Sequence, residues 1–134
     1  RIIMETQIKI PIYRGLKLGT ENEYVIGWYS SPIIIEGKTY LSITNKDGEY
    51  RIDTTTLSIH FSDMLDSQGN EIFASLQKNG RGGDVCSVND YIDSGLEGVA
   101  IYQNYGFRID RKGKAMGISL SSTDIKIIGI QQWS

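Results

Sequence analysis

The sequence predicts a mainly β fold, built from short strands as a small barrel or sandwich. Fifteen glycines stand against two prolines, a ratio that suits many turns with positive φ. Several short stretches alternate apolar and polar residues or are rich in β-branched and aromatic residues, whereas no long segment repeats apolar residues at the helical period. At 134 residues the chain has a single-domain length, and folding at this size removes roughly two-thirds of the unfolded surface.

The first half of the sequence predicts a β-meander. Its predicted strands cover residues 8–13, 23–30, 32–35 and 39–44. The first strand contains Pro11, which confines it to a sheet edge or a bulge because proline donates no backbone hydrogen bond. Turns are predicted at residues 36–38 and 45–48, where Gly37 and Gly48 tolerate positive φ.

The second half starts with a distinctive run at residues 52–73, in which a strand leads into a turn at residues 66–70. Asp66 and Asn70 are expected to hydrogen-bond the local backbone there, with Gly69 at the turn. Residues 74–79 predict one helical turn, which the glycines of residues 80–83 end. Further strands are predicted at residues 84–88, 98–102, 106–110 and 125–130, with a turn at residues 104–106.

Charge and cysteine content favour a soluble cytosolic protein. The net charge is −2, and its distribution is uneven: residues 47–97 carry three basic and ten acidic side chains, which argues against wrapping nucleic acid along the whole chain. Cys86 is the one cysteine, so no intramolecular disulfide can form. No stretch approaches the ~20 apolar residues of a membrane span, and the N-terminus lacks a basic-then-apolar signal pattern. Met4 is expected to be the natural start.

The patterns that resemble chemical sites fit structural roles better. The glycine cluster at residues 80–83 runs into a strand and lacks the Gly-Lys that ends a phosphate-binding loop. In the acidic stretch at residues 63–71, Met64 and Leu65 occupy positions where calcium ligands are needed. His60 is the one histidine and is interpreted as a strand-face residue, while Cys86 is interpreted as a buried apolar residue. The sequence therefore predicts no catalytic, cofactor-binding or metal-binding residue, and no enzyme.

Aromatic and basic residues come together late in the chain. Tyr91, Tyr105, Arg108, Arg111 and Lys112 are the candidate binding residues, and they fit two kinds of partner. Stacking tyrosines with a basic stretch suit single-stranded nucleic acid, whereas the same residue types are enriched in protein interfaces. The interpretation favoured over both is that Tyr102 and Phe107 point into the core and the remaining residues form ordinary surface.

Four motifs follow one another in an order that resembles the YopX-like proteins, which are small phage- and prophage-encoded proteins. They are Ile52-Asp53-Thr54-Thr55-Thr56, the turn that ends in Ile72-Phe73, Gly83-Asp84-Val85 and Ile128-Gly129-Ile130. Many relatives have Tyr-Thr-Gly-Leu where this chain has residues 60–65, and they lack the insertion at residues 74–82, so the resemblance is to a divergent branch.

The resemblance implies an SH3-like barrel for residues 51–134, with an additional N-terminal β region at residues 4–50. It carries no catalytic residues over to this chain. The leading hypothesis is a non-enzymatic phage protein in the bacterial cytoplasm that binds a host or phage protein or its own copies. The alternative is a nucleic-acid-binding module that uses the basic stretch at residues 108–114 and the tyrosines. Sequestering a small ligand is a third hypothesis. A large apolar patch would favour protein partners or oligomers.

Overall fold

The structure is a computed structural model that describes residues 11–61, 64–89, 96–103, 106–111, 114–116 and 124–132. Within these residues all regular secondary structure is β, which confirms the predicted mainly β class. The ten described strands are β1 (Ile12–Lys17), β2 (Tyr24–Ile35), β3 (Lys38–Asn45), β4 (Gly48–His60), β5 (Ala74–Ser75), β6 (Asp84–Asn89), β7 (Leu96–Gln103), β8 (Gly106–Arg111), β9 (Lys114–Met116) and β10 (Asp124–Ile130). They belong to one continuous sheet. In this sheet β1–β4 form a closed ring, and β5–β10 form the second half.

The first four strands close into a ring. Each of β1, β2 and β3 pairs antiparallel with the next strand, and β4 pairs back with β1. The two predicted hairpins are confirmed. In the β2–β3 hairpin, Glu36 and Gly37 both have positive φ (50° and 78°), as a tight two-residue turn requires. The β3–β4 hairpin turns between Asn45 and Gly48, which are paired across the strands.

An irregularity in β4 allows this strand to pair with both parts of the sheet. Between Arg14 and Leu16 of β1, the partner in β4 jumps from Ser58 to Asp53. Thr56 bridges the gap, because its hydroxyl accepts a hydrogen bond from the Leu16 amide (2.9 Å) and donates one to the Asp53 carbonyl (2.6 Å). Beyond the irregularity, Ser58 and Ile59 pair with β5 as well as with β1.

The second half of the sheet comprises β5–β10. Strand β6 pairs with β7 and β10, β7 pairs with β8, and β8 pairs with β9. The short β5 joins this half to the ring, since it is antiparallel to β4 and parallel to β7. The SH3-like barrel expected for residues 51–134 stays a prediction, and β4 crosses the expected boundary at residue 50.

Residues 74–79 do not form the predicted helical turn. Ala74 and Ser75 are fully buried between β4 and β7, where pairing with two strands outweighs local helix preference. The Ser75 hydroxyl donates to the Arg81 carbonyl (2.7 Å) and accepts from the Gln77 amide (3.0 Å), so it fastens the loop that follows. Strand β1 also differs from the prediction, because it starts at Ile12 and ends at Lys17; residues 8–10 lie outside the described residues.

The chain buries two hydrophobic cores. The larger core lies in the second half of the sheet and consists of Met64, Ile72, Ala74, Cys86, Val88, Ala100, Ile109 and Ile125. The smaller core fills the ring and consists of Val25, Ile43, Ile52 and Leu57. Cys86 is fully buried, as predicted, and burial together with the charge of Asp84 raises the pKa of its thiol to about 12. Tyr102 and Phe107 pack against the larger core, which confirms their predicted inward orientation.

The predicted turn at residues 66–70 is confirmed, and it has a structural role. The Asp66 carboxylate accepts hydrogen bonds from the amides of Gln68 (2.9 Å) and Asn70 (2.7 Å). Ser67 donates to the Ile125 carbonyl through its hydroxyl (2.6 Å) and its amide (2.8 Å). The turn therefore covers one edge of β10.

Candidate functional site: an apolar groove on the ring

An exposed apolar surface lies on the outer face of the ring. Side chains alternate between the two faces of a strand, and Val25 of β2 points into the smaller core. Its neighbours on the opposite face, Ile26 and Trp28, are therefore directed outward. Trp28 is 56% exposed and Ile26 is 45% exposed, so two bulky apolar side chains of one strand face solvent.

These side chains form one wall of a groove of about 340 Å³. The other contributions to the lining come from Ile12, Gly27 and the β3–β4 turn residues Asn45, Lys46 and Asp47. Asn45 holds the turn against β2, because its side-chain amide donates to the Ile26 carbonyl (3.0 Å) and its side-chain oxygen accepts from the Asp47 amide (2.8 Å). The groove is thus fixed by side-chain hydrogen bonds on its polar side.

Gly27 allows the two sides of the groove to lie close to each other. A Cβ at this position would lie 2.2 Å from the Thr44 carbonyl oxygen, far inside van der Waals contact. Only glycine permits β3 to lie so close to β2 at this point. The glycine thereby determines how the turn at residues 45–48 is placed beside Trp28.

The groove has one cation and one anion on its rim. Lys46 and Asp47 are adjacent and exposed, and within the part of the chain that the structure describes neither forms an ion pair. Ile12, Ile26 and Trp28 supply the apolar floor. An apolar centre with a polar rim is the usual anatomy of a protein interface.

A second polar cluster is buried between the ring and the second half of the sheet. Arg14 is 7% exposed and Asp84 is 2% exposed, and their charged groups meet at 2.8 Å. Arg14 also donates to the Gly82 carbonyl (2.8 Å), while the other Asp84 oxygen accepts from the Phe73 amide (2.8 Å). Burial raises the pKa of Asp84, and the Arg14 charge opposes that rise. This pair fits a structural role, because both charged groups are almost fully buried and engaged with each other. The Arg14 Nε is the one donor of this guanidinium that is buried without a hydrogen-bond partner among the described residues.

His60 lies beside this cluster and is almost fully buried at the end of β4. Its Nδ1 lies 3.0 Å from the Ile72 carbonyl oxygen, and its Nε2 lies 3.3 Å from a Glu71 carboxylate oxygen. The ring packs against Phe73 with a centroid distance of 5.5 Å. The interpretation as a strand-face residue is confirmed, and both ring nitrogens are occupied by protein groups.

Only one of the five predicted binding residues has a described side chain, so their assembly into a site stays a prediction. Tyr91, Tyr105 and Lys112 lie outside the described residues, and only the backbone of Arg111 is described, at the end of β8. The remaining residue, Arg108, is partly buried and donates to the Gln103 side-chain oxygen at 3.4 Å. Its contacts are made within the fold.

Sequence reasoning missed the groove, although a signal for it was present. In residues 24–29, bulky apolar or aromatic side chains stand at both odd and even positions, so the strand has no polar face. Such a strand is either buried on both sides or apolar on an exposed side. Choosing between these two required knowing that Ile26 and Trp28 of β2 are exposed on the outer face of the ring.

The described residues contain neither a metal-binding cluster nor a membrane-spanning helix. Among them, no group of three or more histidine, cysteine, aspartate or glutamate side chains is arranged to hold a metal ion. The same part of the chain contains no helix of the length and apolarity that a membrane crossing needs.

Comparisons with known proteins found no match among family models, curated proteins or solved structures. The resemblance to YopX-like proteins therefore depends on the motifs of the sequence alone.

Proposed function

We propose that this chain is a non-enzymatic binding protein that recognises another protein chain through the groove beside Trp28. The observation that carries the proposal is the 56% exposure of Trp28 next to Ile26 and Ile12. Exposed apolar clusters of this kind are costly to leave in water and mark interaction sites. Tryptophan is also the residue type that most often dominates the binding energy of an interface.

The biological setting of the proposal comes from the sequence motifs. As a YopX-like protein, the chain would be encoded by a phage or prophage and would act in the cytoplasm of its bacterial host. The nucleic-acid alternative stays a prediction, because Tyr91, Tyr105 and Lys112 lie outside the described residues. Among the described residues that line the groove, one cation and one anion balance each other, so these residues supply no excess positive charge to attract phosphate.

The proposal is tested by capture with matched variants. Immobilised wild-type chain, Trp28→Ala and Ile34→Ser would each be incubated with bacterial extract. Ile34 is 72% exposed but does not line the groove, so its substitution controls for loss of an exposed apolar side chain. We expect a protein, either foreign or a second copy added in untagged form, to bind wild type and Ile34→Ser and to be lost with Trp28→Ala. Equal capture by all three chains, or by none, would refute the proposal.

A further inference from the structure

The charged rim of the groove has a pattern that is complementary to itself. Lys46 and Asp47 stand side by side in the β3–β4 turn, with opposite charges and with no ion-pair partner among the residues that the structure describes. A two-fold symmetric contact brings residue i of one copy to residue j of the other, and j to i. Under that symmetry each Lys46 would meet the partner's Asp47, so the same two residues would supply both ion pairs of the contact.

The apolar floor fits the same symmetry. Ile12, Ile26 and Trp28 lie on one side of the charged turn. A two-fold axis beside the groove would place the Trp28 side chains of the two copies against each other and would remove both from water. An apolar surface at the centre and two ion pairs at the rim follow the ordinary anatomy of a symmetric interface.

We infer that the groove binds a second copy of this chain, in an isologous dimer in which Lys46 of each copy pairs with Asp47 of the other. This inference rests on the proposed function and names its partner. A strongly acidic or strongly basic partner would pair with one of the two rim charges and face repulsion from the other. A second copy satisfies both charges.

The two parts of the interface have different effects. Exposed ion pairs contribute little free energy, so the apolar contact of Trp28 supplies most of the affinity. Like charges brought face to face are unfavourable, so Lys46 and Asp47 decide which chain can bind and in what orientation. Altering the charges thus changes the choice of partner while the floor stays the same.

The test uses two charge variants of the full chain, Lys46→Glu and Asp47→Lys, in analytical ultracentrifugation over a range of concentrations. We expect wild type to dimerise as concentration rises. Each variant alone would bring like charges together, and we expect its dimer dissociation constant to be at least about tenfold weaker. In an equimolar mixture, the turn of the first variant carries two carboxylates and the turn of the second carries two ammonium groups. Both contacts across the two-fold axis then join opposite charges again, so the mixture should recover the dimer.

Controls separate this inference from the broader proposal. Ile34→Ser should dimerise like wild type, and Trp28→Ala should not; far-UV circular dichroism would confirm that all variants fold, as expected for exposed positions. The inference is wrong if wild type stays monomeric at the highest concentration, if both charge variants dimerise like wild type, or if the mixture recovers nothing. If wild type is monomeric but captures a different protein in a Trp28-dependent manner, the binding function holds and the dimer does not.

Discussion

At the scale of single residues, the buried ion pair of Arg14 and Asp84 carries a large desolvation cost. Two charges removed from water are tolerated only if they are paired and further hydrogen bonds offset the loss of hydration. Asp84 gains such a bond from the Phe73 amide, and Arg14 gains one to the Gly82 carbonyl while stacking over Phe73 at 4.7 Å. The pair therefore connects the first strand of the ring to the second half of the sheet.

We expect Asp84→Asn to destabilise the fold by about 3–5 kcal/mol, because it leaves the buried Arg14 charge without a partner. Urea unfolding at neutral pH measures the loss. The matched control is Glu23→Gln, which breaks the exposed contact of Lys17 with Glu23 at 3.9 Å and should cost about 0–1 kcal/mol. Similar losses for the two variants would show that the buried pair is not the connection described above.

The sequence does not reveal this pair. Its pattern predicts Asp84 as the first residue of a strand after a glycine turn, and Arg14 lies beyond the first predicted strand. Two residues so distant in sequence meet only because the fold brings the first residue of β6 to β1. Burial of Cys86 could be predicted, by contrast, because free cysteine is among the residue types most often buried.

Asp66 makes the stability of the protein depend on pH. Burial opposes ionisation of its carboxyl group, but hydrogen bonds from Asn70, Gln68 and Ile127 outweigh burial and lower its pKa below the ordinary 3.8. A carboxyl whose pKa is lower in the folded state stabilises the fold above its unfolded pKa, and this stability is lost as pH falls through the folded value. The effect is thus complete near pH 6, begins to decline below about pH 4, and is lost as pH falls further through the folded pKa.

We expect Asp66→Asn to reduce the difference in unfolding free energy between about pH 6 and about pH 3, because the variant has no charge to lose there. Urea unfolding at the two pH values measures it. Asp84 acts in the opposite direction, since its raised pKa favours the protonated folded form, and it remains in both proteins. An unchanged pH dependence in the variant would contradict the assignment to Asp66.

At the scale of elements, local chemistry made some strands predictable and distant pairing decided the others. Gly37 and Gly48 mark turns that depend on a few neighbouring residues, so the β2–β3 and β3–β4 hairpins could be predicted. Closure of the ring by β1 and β4 has no local signal. The same holds for β5, whose sequence suits a helical turn but whose position between β4 and β7 makes it a strand.

Gly82 shows how closely the loop after β5 approaches β4. Its φ is +86°, and a Cβ there would lie 2.0 Å from the Thr56 carbonyl oxygen. We expect Gly82→Ala to cost on the order of 3 kcal/mol or more, because strained backbone and a clash with the main chain act together. Gly19→Ala is the matched control: its φ is +84°, but no atom lies within 4 Å of the added Cβ.

The control should cost only about 1–2 kcal/mol, from the left-handed backbone alone. Both losses are read from urea unfolding curves. Equal losses would mean that the contact with Thr56 adds nothing, and that the loop can move away from β4 without harm.

At the scale of the whole molecule, two cores share one strand. The smaller core contains Ile52 and Leu57 of β4, and the same strand continues to pair with β5 at the edge of the larger core. Neither half can unfold without breaking pairings that the other half uses. The chain should therefore behave as one cooperative unit.

We expect Ile43→Ala in the smaller core and Ile109→Ala in the larger core each to shift the whole unfolding transition, with a loss of about 2–5 kcal/mol. Both side chains are fully buried. The check is thermal unfolding followed by far-UV circular dichroism and by tryptophan fluorescence. Two separate transitions, each sensitive to only one substitution, would contradict a shared strand that couples the cores.

The shared strand also has a consequence for any assembly that the chain enters. Units joined by a flexible linker can turn relative to each other after one of them is bound. Here the join is β4, which is paired to β1 and β3 in the ring and to β5 in the second half. A molecule held at the groove beside Trp28 therefore sets the direction in which β8 and β10 are displayed, and the shape of the assembly is determined by the fold of each copy.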